Sequence, residues 1–274
     1  MIETAIVLVA IGLIIAAIFS YPAWVRWRRS RLKRRPLSPQ QQATVECSLP
    51  AYECLTPNER RRLQGHIQVF IAEKQFIGCR GLQVTPEMKV TVAAIAALLL
   101  LNERGKYFPR LRSILIYPDA YVVRETVAVG GGVVEERQTA RLGESWTTDQ
   151  VVLSWKQIQD DLAHWNDGKN VVLHEFAHQL DQEDGKAEGV PILHRDADYA
   201  IWAEVMAAEY QQLCDRVERG AATILNPYGA TDPAEFFAVA TETFFEMPQQ
   251  LLTHHRRLYE QLQHYYRLDP ARWS

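Results

Sequence analysis

His174, Glu175 and His178 stand within NVVLHEFAHQLDQEDG, residues 170–185, with the two histidines four apart around the glutamate. Residues at i and i+4 share one face of a helix, so two imidazoles can be offered to one point while the Glu175 carboxylate projects beside them. Neutral imidazole nitrogens suit a borderline-soft divalent ion, and a carboxylate beside that ion can take a proton from water. The pattern is the HExxH arrangement of zinc hydrolases, with Zn2+ as the cofactor. Val171, Val172, Leu173, Phe176, Ala177 and Leu180 leave the rest of the helix apolar. Polar groups on a buried helix carry a desolvation cost and need a reason to be there. Two hydrogen-bonded core histidines are the structural alternative.

A third ligand is required. In the pattern HExxHxxGxxH, positions 181 and 184 would be Gly and His, and both are Asp here, which excludes that site. Asp181, three residues after His178, is suited instead to orienting an imidazole from behind, or is an ordinary aspartate near a helix end. A downstream helix should supply a glutamate, and YGATDPAEFFAVATETFFEMP offers Glu235, Glu242 and Glu246. Glu235 and Glu242 are seven apart, hence on one face. Asp232 and Pro233 read as a helix start that would make Glu235 the N3 partner of a capping box, a purely structural use. Glu242 has no such alternative. Residue chemistry leaves the choice between them open. Iron oxygenase chemistry on two histidines and a carboxylate is a different reading of the same set, and the embedded His-Glu pair counts against it.

The elements that must position these groups follow from capping and periodicity. LTPNERRRLQGHIQVFIAEKQF has Thr56 as N-cap, Pro57 at the first helical position and Glu59 closing a capping box, with apolar spacing through Leu63, Ile67, Phe70 and Ile71. TPEMKVTVAAIAALLLLNERG starts the same way, and its run from Val90 to Leu101 is too short to span a bilayer, so it predicts a buried helix. SILIYP, AYVVRETVAV, VVEERQTARLG and QVVLSW are β-rich, with a turn at Gly130 to Gly132. QVVLSW is either an edge strand able to pair with an extended substrate or an interior strand. Helices are predicted near 197–218, 233–247 and 249–267. Strands first and helices afterwards make an α+β order. Cysteines 47, 54, 79 and 214 form no CxxC pair, which fits a reducing compartment.

Thr4 to Val25 reads TAIVLVAIGLIIAAIFSYPAWV, about twenty residues without a charge, and predicts a transmembrane helix over 1–25. Tyr21, Trp24 and Trp27 suit the interface, and the basic run from Arg26 to Arg35 follows at once. The positive-inside rule then makes this a single-pass protein of the inner (cytoplasmic) membrane with its body in the cytoplasm. Residues 26–46 read as a basic juxtamembrane segment and linker, and 47–274 as the globular domain. Seven basic residues against Glu3 give the first 35 residues +6, so the −3 of the whole chain leaves −9 for the body. Direct nucleic-acid binding is not expected of so acidic a body.

HEFAHQLD followed by DG, GVP at 189–191 and YGATDPAEFFAVATETFF together resemble the MtfA family of zinc peptidases (Mlc titration factor A), itself similar to the catalytic domain of anthrax lethal factor. The resemblance covers roughly residues 55–270. It implies a zincin-like, gluzincin-type α+β metallopeptidase domain, here preceded by the membrane helix, which departs from the soluble members. It implies His174, His178 and Glu235 as zinc ligands, Glu175 as general base, Tyr228 supporting the reaction from above the metal, and Glu242 behind the ligands. The function expected is a membrane-anchored, cytoplasm-facing peptidase that hydrolyses peptide or protein substrates with a zinc-activated water, by family an aminopeptidase. The alternative is a regulatory protein that binds and sequesters a transcriptional repressor, with peptidase activity secondary. Glu175 favours the enzyme, since a pure binder has no need of that base.

Overall fold

The computed structural model describes residues 2–102, 106–119, 121–129, 133–141, 143–147 and 149–273. Helix starts in the first half are set by hydroxyl-proline pairs. Helix α1 spans Ile2–Lys33, α2 Pro39–Ser48, α3 Pro57–Glu73 and α4 Pro86–Leu98. Ser38, Thr56 and Thr85 cap the last three through their side chains, each with proline opening the helix. Proline is tolerated there because its missing N–H has no intrahelical partner to lose. Helix α3 runs to Glu73, just past the Ile71 where its apolar spacing ends, and Gln75–Gly78 leaves as strand β1.

Strands β2 (Ser113–Tyr117), β3 (Tyr121–Val129), β4 (Val133–Arg141), β5 (Gly143–Thr147) and β6 (Gln150–Ser154) follow. Helices α5 (Trp155–Ala163), α6 (Val171–Asp181), α7 (Asp198–Glu218), α8 (Pro233–Glu246), α9 (Pro248–His254) and α10 (Arg256–Tyr266) complete the chain. One sheet has the order β1-β2-β6-β5, with β5 antiparallel to β6 and the other neighbours parallel, while β3 and β4 form an antiparallel pair. Ile114, Ile116, Val151 and Leu153 share one face of the parallel strands and are fully buried, while Ser113, Leu115 and Tyr117 on the other face of β2 are half-buried. Strand β6 lies between β2 and β5, so QVVLSW is interior and cannot pair with a substrate strand. The glycine turn expected at 130–132 lies outside the described residues.

The N-terminal expectation needs correction. Arg29 donates to both Glu73 oxygens at 2.9 and 2.8 Å, and Leu32 is buried against the body. Gly65 on α3 admits this approach, because a Cβ there would lie 3.2 Å from Lys33 Cβ. Residues 36–46, read as a linker, carry the buried Leu37 and the start of α2 with its buried Val45. The uncharged run falls partly on side chains at 5–10 and 13 that lie outside the description. Among the described residues no helix is long and apolar enough to cross a membrane. The last eight residues of α1 carry Arg26, Arg28, Arg29, Arg31 and Lys33, and this end of the helix packs on the body through Arg29 and Leu32. The single-pass inner-membrane location, and the transmembrane helix in the expected fold, are therefore overturned.

Beneath the docked end of α1, His66 Nδ1 lies 2.8 Å from the Tyr107 hydroxyl, with the Arg29 guanidinium 4.8 Å and the Lys33 ammonium 5.5 Å from the Tyr107 ring. Burial, reinforced by the Lys33 charge, pushes the His66 imidazole down to about 4. Unfolded histidine takes its proton near pH 6.5. The folded ring refuses it until about 4, so stability present above 6.5 is lost as pH falls through that window. The contribution is bounded at about 3 kcal/mol. Urea unfolding of His66→Gln should show a flatter loss of stability between pH 6.5 and 4 than the wild type, and an identical slope would assign that loss to other groups.

Candidate metal centre

Helix α6 begins where several carboxylates meet. Asn170 caps it by accepting the Leu173 N–H at 3.0 Å. The Gly168 and Lys169 N–H groups each donate to Glu246 Oε2 at 3.1 Å, the Asn170 N–H to Glu242 Oε2 at 2.6 Å, and the Val171 N–H to Asp161 Oδ2 at 2.8 Å. A helix N-terminus carries unpaired N–H groups and partial positive charge, and here acids from α5 and α8 satisfy both. On the apolar face of α6, Phe176 packs with Phe70 and Phe108 at ring separations of 5.5 and 4.8 Å. His174 and His178 face α8.

Helix α8 starts at Asp232, whose Oδ1 accepts the Ala234 and Glu235 N–H groups at 2.9 and 3.0 Å. Glu235 is not engaged in the reciprocal capping bond that its N3 position allowed. Its Oε2 instead lies 3.0 Å from His174 Nε2 and 3.4 Å from His178 Nε2, and the two Nε2 atoms are 3.2 Å apart. Among the described residues, this trio is the group of ligand-type side chains whose donor atoms converge, all within 4.8 Å.

Glu242 decides what those atoms offer. Its Oε1 is 2.8 Å from His174 Nδ1, and a carboxylate there can only accept, so Nδ1 carries hydrogen and a neutral His174 presents a lone pair at Nε2. Glu235 Oε2 is buried and makes no well-directed hydrogen bond, although two ring nitrogens face it. Lone pairs crowded around one small volume repel each other, and a cation among them converts the repulsion to attraction. The two nitrogens and one oxygen therefore fit a divalent metal ion. Burial acts to lower the His174 pKa, but Glu242 and then Glu235 outweigh it and hold it well above the ordinary value. Burial likewise acts to raise Glu235, and its contacts with His174 and His178 leave it well below the usual carboxylate range. A positive charge is thus favoured at this point, as a proton or as an ion.

Tyr228 sits on the single turn Pro227–Ala230, capped by Asn226, with its ring 6.1 Å from that of His174. Tyr228 is 54% exposed, and the partial burial of its phenol, with Glu235 nearby, pushes it up to about 12. Gly229 seats the turn: a Cβ there would lie 3.2 Å from side chains of Leu213 on α7 and Val239 on α8. Glu175 is buried, and its charge acts on both His174 and Tyr228. Asp181 does not turn to an imidazole. Its carboxylate accepts the Gly189 and Val190 N–H groups at 3.0 and 2.7 Å. Sequence reasoning missed Asp161 and Asn170 and gave Glu246 no role of its own. Asn170 directly before an apolar helical run is a legible N-cap, and Glu246 falls one turn after Glu242 on the same face.

Two helices that bring paired histidines and a glutamate together in a mixed fold of helices and strands define a metallopeptidase-like protein. The chain belongs to the family of glucose-regulated metallo-peptidases M90, which matches residues 24–267. It is 48% identical over 271 residues, 98% of each chain, to an uncharacterised protein of Synechocystis sp.. It is also 31% identical over 226 residues to Mlc titration factor A of Klebsiella pneumoniae, covering 81% of this chain and 84% of that one. Mlc titration factor A of Yersinia pestis is 33% identical over 239 residues, 83% and 86% of the two chains.

Substitution of the two α8 carboxylates should separate their contributions. Glu235→Ala removes one of the three converging donors and should abolish tight metal binding. Glu242→Ala frees the His174 tautomer and should weaken binding about 10- to 100-fold. Competition against a chromogenic zinc chelator measures both, and the opposite ranking would exchange their roles.

Proposed function

We propose that the chain is a zinc-dependent peptidase in which His174, His178 and Glu235 hold the ion and Glu175 is the general base. The observation that carries this reading is the buried Glu235 oxygen facing two imidazole nitrogens without a hydrogen bond. Nitrogens bound tetrahedrally to zinc at 2.0–2.1 Å are about 3.4 Å apart, close to the 3.2 Å between the two Nε2 atoms. When bound, zinc supplies Lewis acidity, polarising a carbonyl oxygen and making a neighbouring water more acidic.

The side chains supply the rest. Glu175 takes the proton that the attacking water gives up and returns it to the departing amine nitrogen. Glu242 holds the His174 proton at Nδ1, which keeps Nε2 directed at the ion. The Tyr228 phenol, with its pKa near 12, stays protonated at neutral pH and so remains a donor. Aimed at an oxygen that gains charge as the carbonyl is attacked, it binds the transition state more strongly than the ground state. Aminopeptidase action is the cleavage mode we propose; release of the N-terminal residue from short peptides, with no internal cuts in end-blocked ones, is the result expected. A second reading, capture of a regulator with peptidase activity secondary, draws on the name of the Klebsiella and Yersinia relatives, Mlc titration factor A.

Glu175→Gln tests the base: it should bind zinc like the wild type and lose peptide hydrolysis, and near-wild-type turnover would remove the base from Glu175. Tyr228→Phe should lower kcat about 10²- to 10³-fold, the cost of one lost oxyanion donor. Its melting temperature should not change. An unchanged kcat would rule out the donor role.

A further inference from the structure

A strap, residues 182–193, leaves the end of α6, and within it Gly189 meets residues of α6, α7 and α8. Gly189 has φ +74, and its N–H donates to Asp181, the last residue of α6. Its carbonyl accepts the Trp202 indole N–H of α7 at 3.4 Å. Its third face lies directly on the start of α8: a Cβ at position 189 would fall 2.2 Å from the Pro233 carbonyl oxygen and 2.7 Å from the Pro233 carbonyl carbon. Those are backbone atoms, so no rotamer change can relieve the clash. Pro233 is two residues before Glu235.

We infer that Gly189 is a positioning residue, a spacer that sets how closely the first turn of α8, and with it Glu235, approaches the histidines on α6. The inference rests on the metal-site reading above but reaches a residue about which the ligand set itself says nothing. Three features combine at this point. The Asp181 carboxylate receives the N–H groups of both Gly189 and Val190, which ties the strap to the end of the histidine helix. The absent side chain lets the α8 backbone come into contact, and glycine adopts the positive φ without the strain that Cβ imposes. Trp202 is fully buried and its indole N–H bonds the Gly189 carbonyl, which ties the strap to α7 and opposes its retreat when a larger residue is introduced. Added bulk must therefore move α8.

The test compares Gly189→Ala with Gly220→Ala in the full chain. Gly220 also has a positive φ, 62°, but a Cβ there meets nothing within 4 Å, so it carries the backbone strain without the contact. Two quantities are read: the zinc dissociation constant by chelator competition, and hydrogen exchange of the 234–237 amides in metal-free protein. Gly189→Ala should weaken zinc binding by about 10- to 100-fold, the range for residues that support ligands. It should also speed exchange at 234–237, whereas Gly220→Ala should change neither. Wild-type affinity and exchange in Gly189→Ala would overturn the inference. If that variant does not fold, Asp181→Asn decides: the amide keeps the volume but one oxygen faces two N–H groups, and the same two changes should appear. Their absence there overturns the inference equally. A wild type that binds no zinc would sink the metal-site reading, and exchange at 234–237 would then decide the spacer alone.

Discussion

His174 is held from both ends by one neighbouring helix. Glu235 and Glu242 are seven residues apart on α8, about 10 Å along its axis at 1.5 Å per residue. An imidazole with a polar contact at each nitrogen bridges that gap, with 3.0 Å to Glu235 at Nε2 and 2.8 Å to Glu242 at Nδ1. The arrangement requires α6 and α8 to pack directly, in one register and at one separation. A shift of α8 by one residue would turn both carboxylates about 100° away from the ring. Everything else near the site serves that registry: the Asp232 cap fixes where α8 begins, and the strap at Gly189 fixes how close that beginning lies.

Burying so many acids is costly, and the cost is visible. Burial, assisted by Glu242, Asp167 and Asp161, pushes Glu246 up to about 8, and burial raises Asp161 to about 6. Opposing this are the N–H groups at the start of α6, which point outward and need acceptors. Acids and amides solve each other's problem. Glu242 joins this arrangement to the ligands, since one of its oxygens takes the Asn170 N–H and the other the His174 ring. The beginning of α6 and the orientation of His174 are thus one hydrogen-bonded unit, and loosening the helix start loosens the imidazole.

Much of this was legible because it depends on local rules. The helix starts at Thr56, Thr85 and Asp232 follow from caps and prolines, and the spacing of His174 and His178 from helical periodicity. The parallel pairing of β1 with β2 and β2 with β6 was not, because a short apolar run carries no information about the direction of its neighbour. Nor was the fate of residues 26–48: seven basic positions among residues 26–35 look solvated until the fold brings Glu73 and the notch at Gly65 on α3, and the Tyr107 ring, beside them. Asp181 was misjudged for a similar reason. Its distance from His178 along the helix suited an imidazole, but the chain folds back and offers two backbone N–H groups, which a carboxylate accepts together.

The placement of Glu235 has a further electrostatic consequence. As the third residue of α8 it lies at the positive end of that helix, where its N–H is already taken by Asp232 and its side chain is free to leave the helix axis. A carboxylate there remains ionised despite burial. The ring nitrogens it faces are held in place by Glu242 and by the packing of Phe176 against Phe70 and Phe108. The three groups are thus brought together by contacts of the core, and in the proposed metal site their mutual repulsion would be borne by the fold. A cation that enters relieves that repulsion in the folded chain and not in the unfolded one, where the donors are dispersed. Metal affinity and folding stability are for that reason the same free energy seen from two sides.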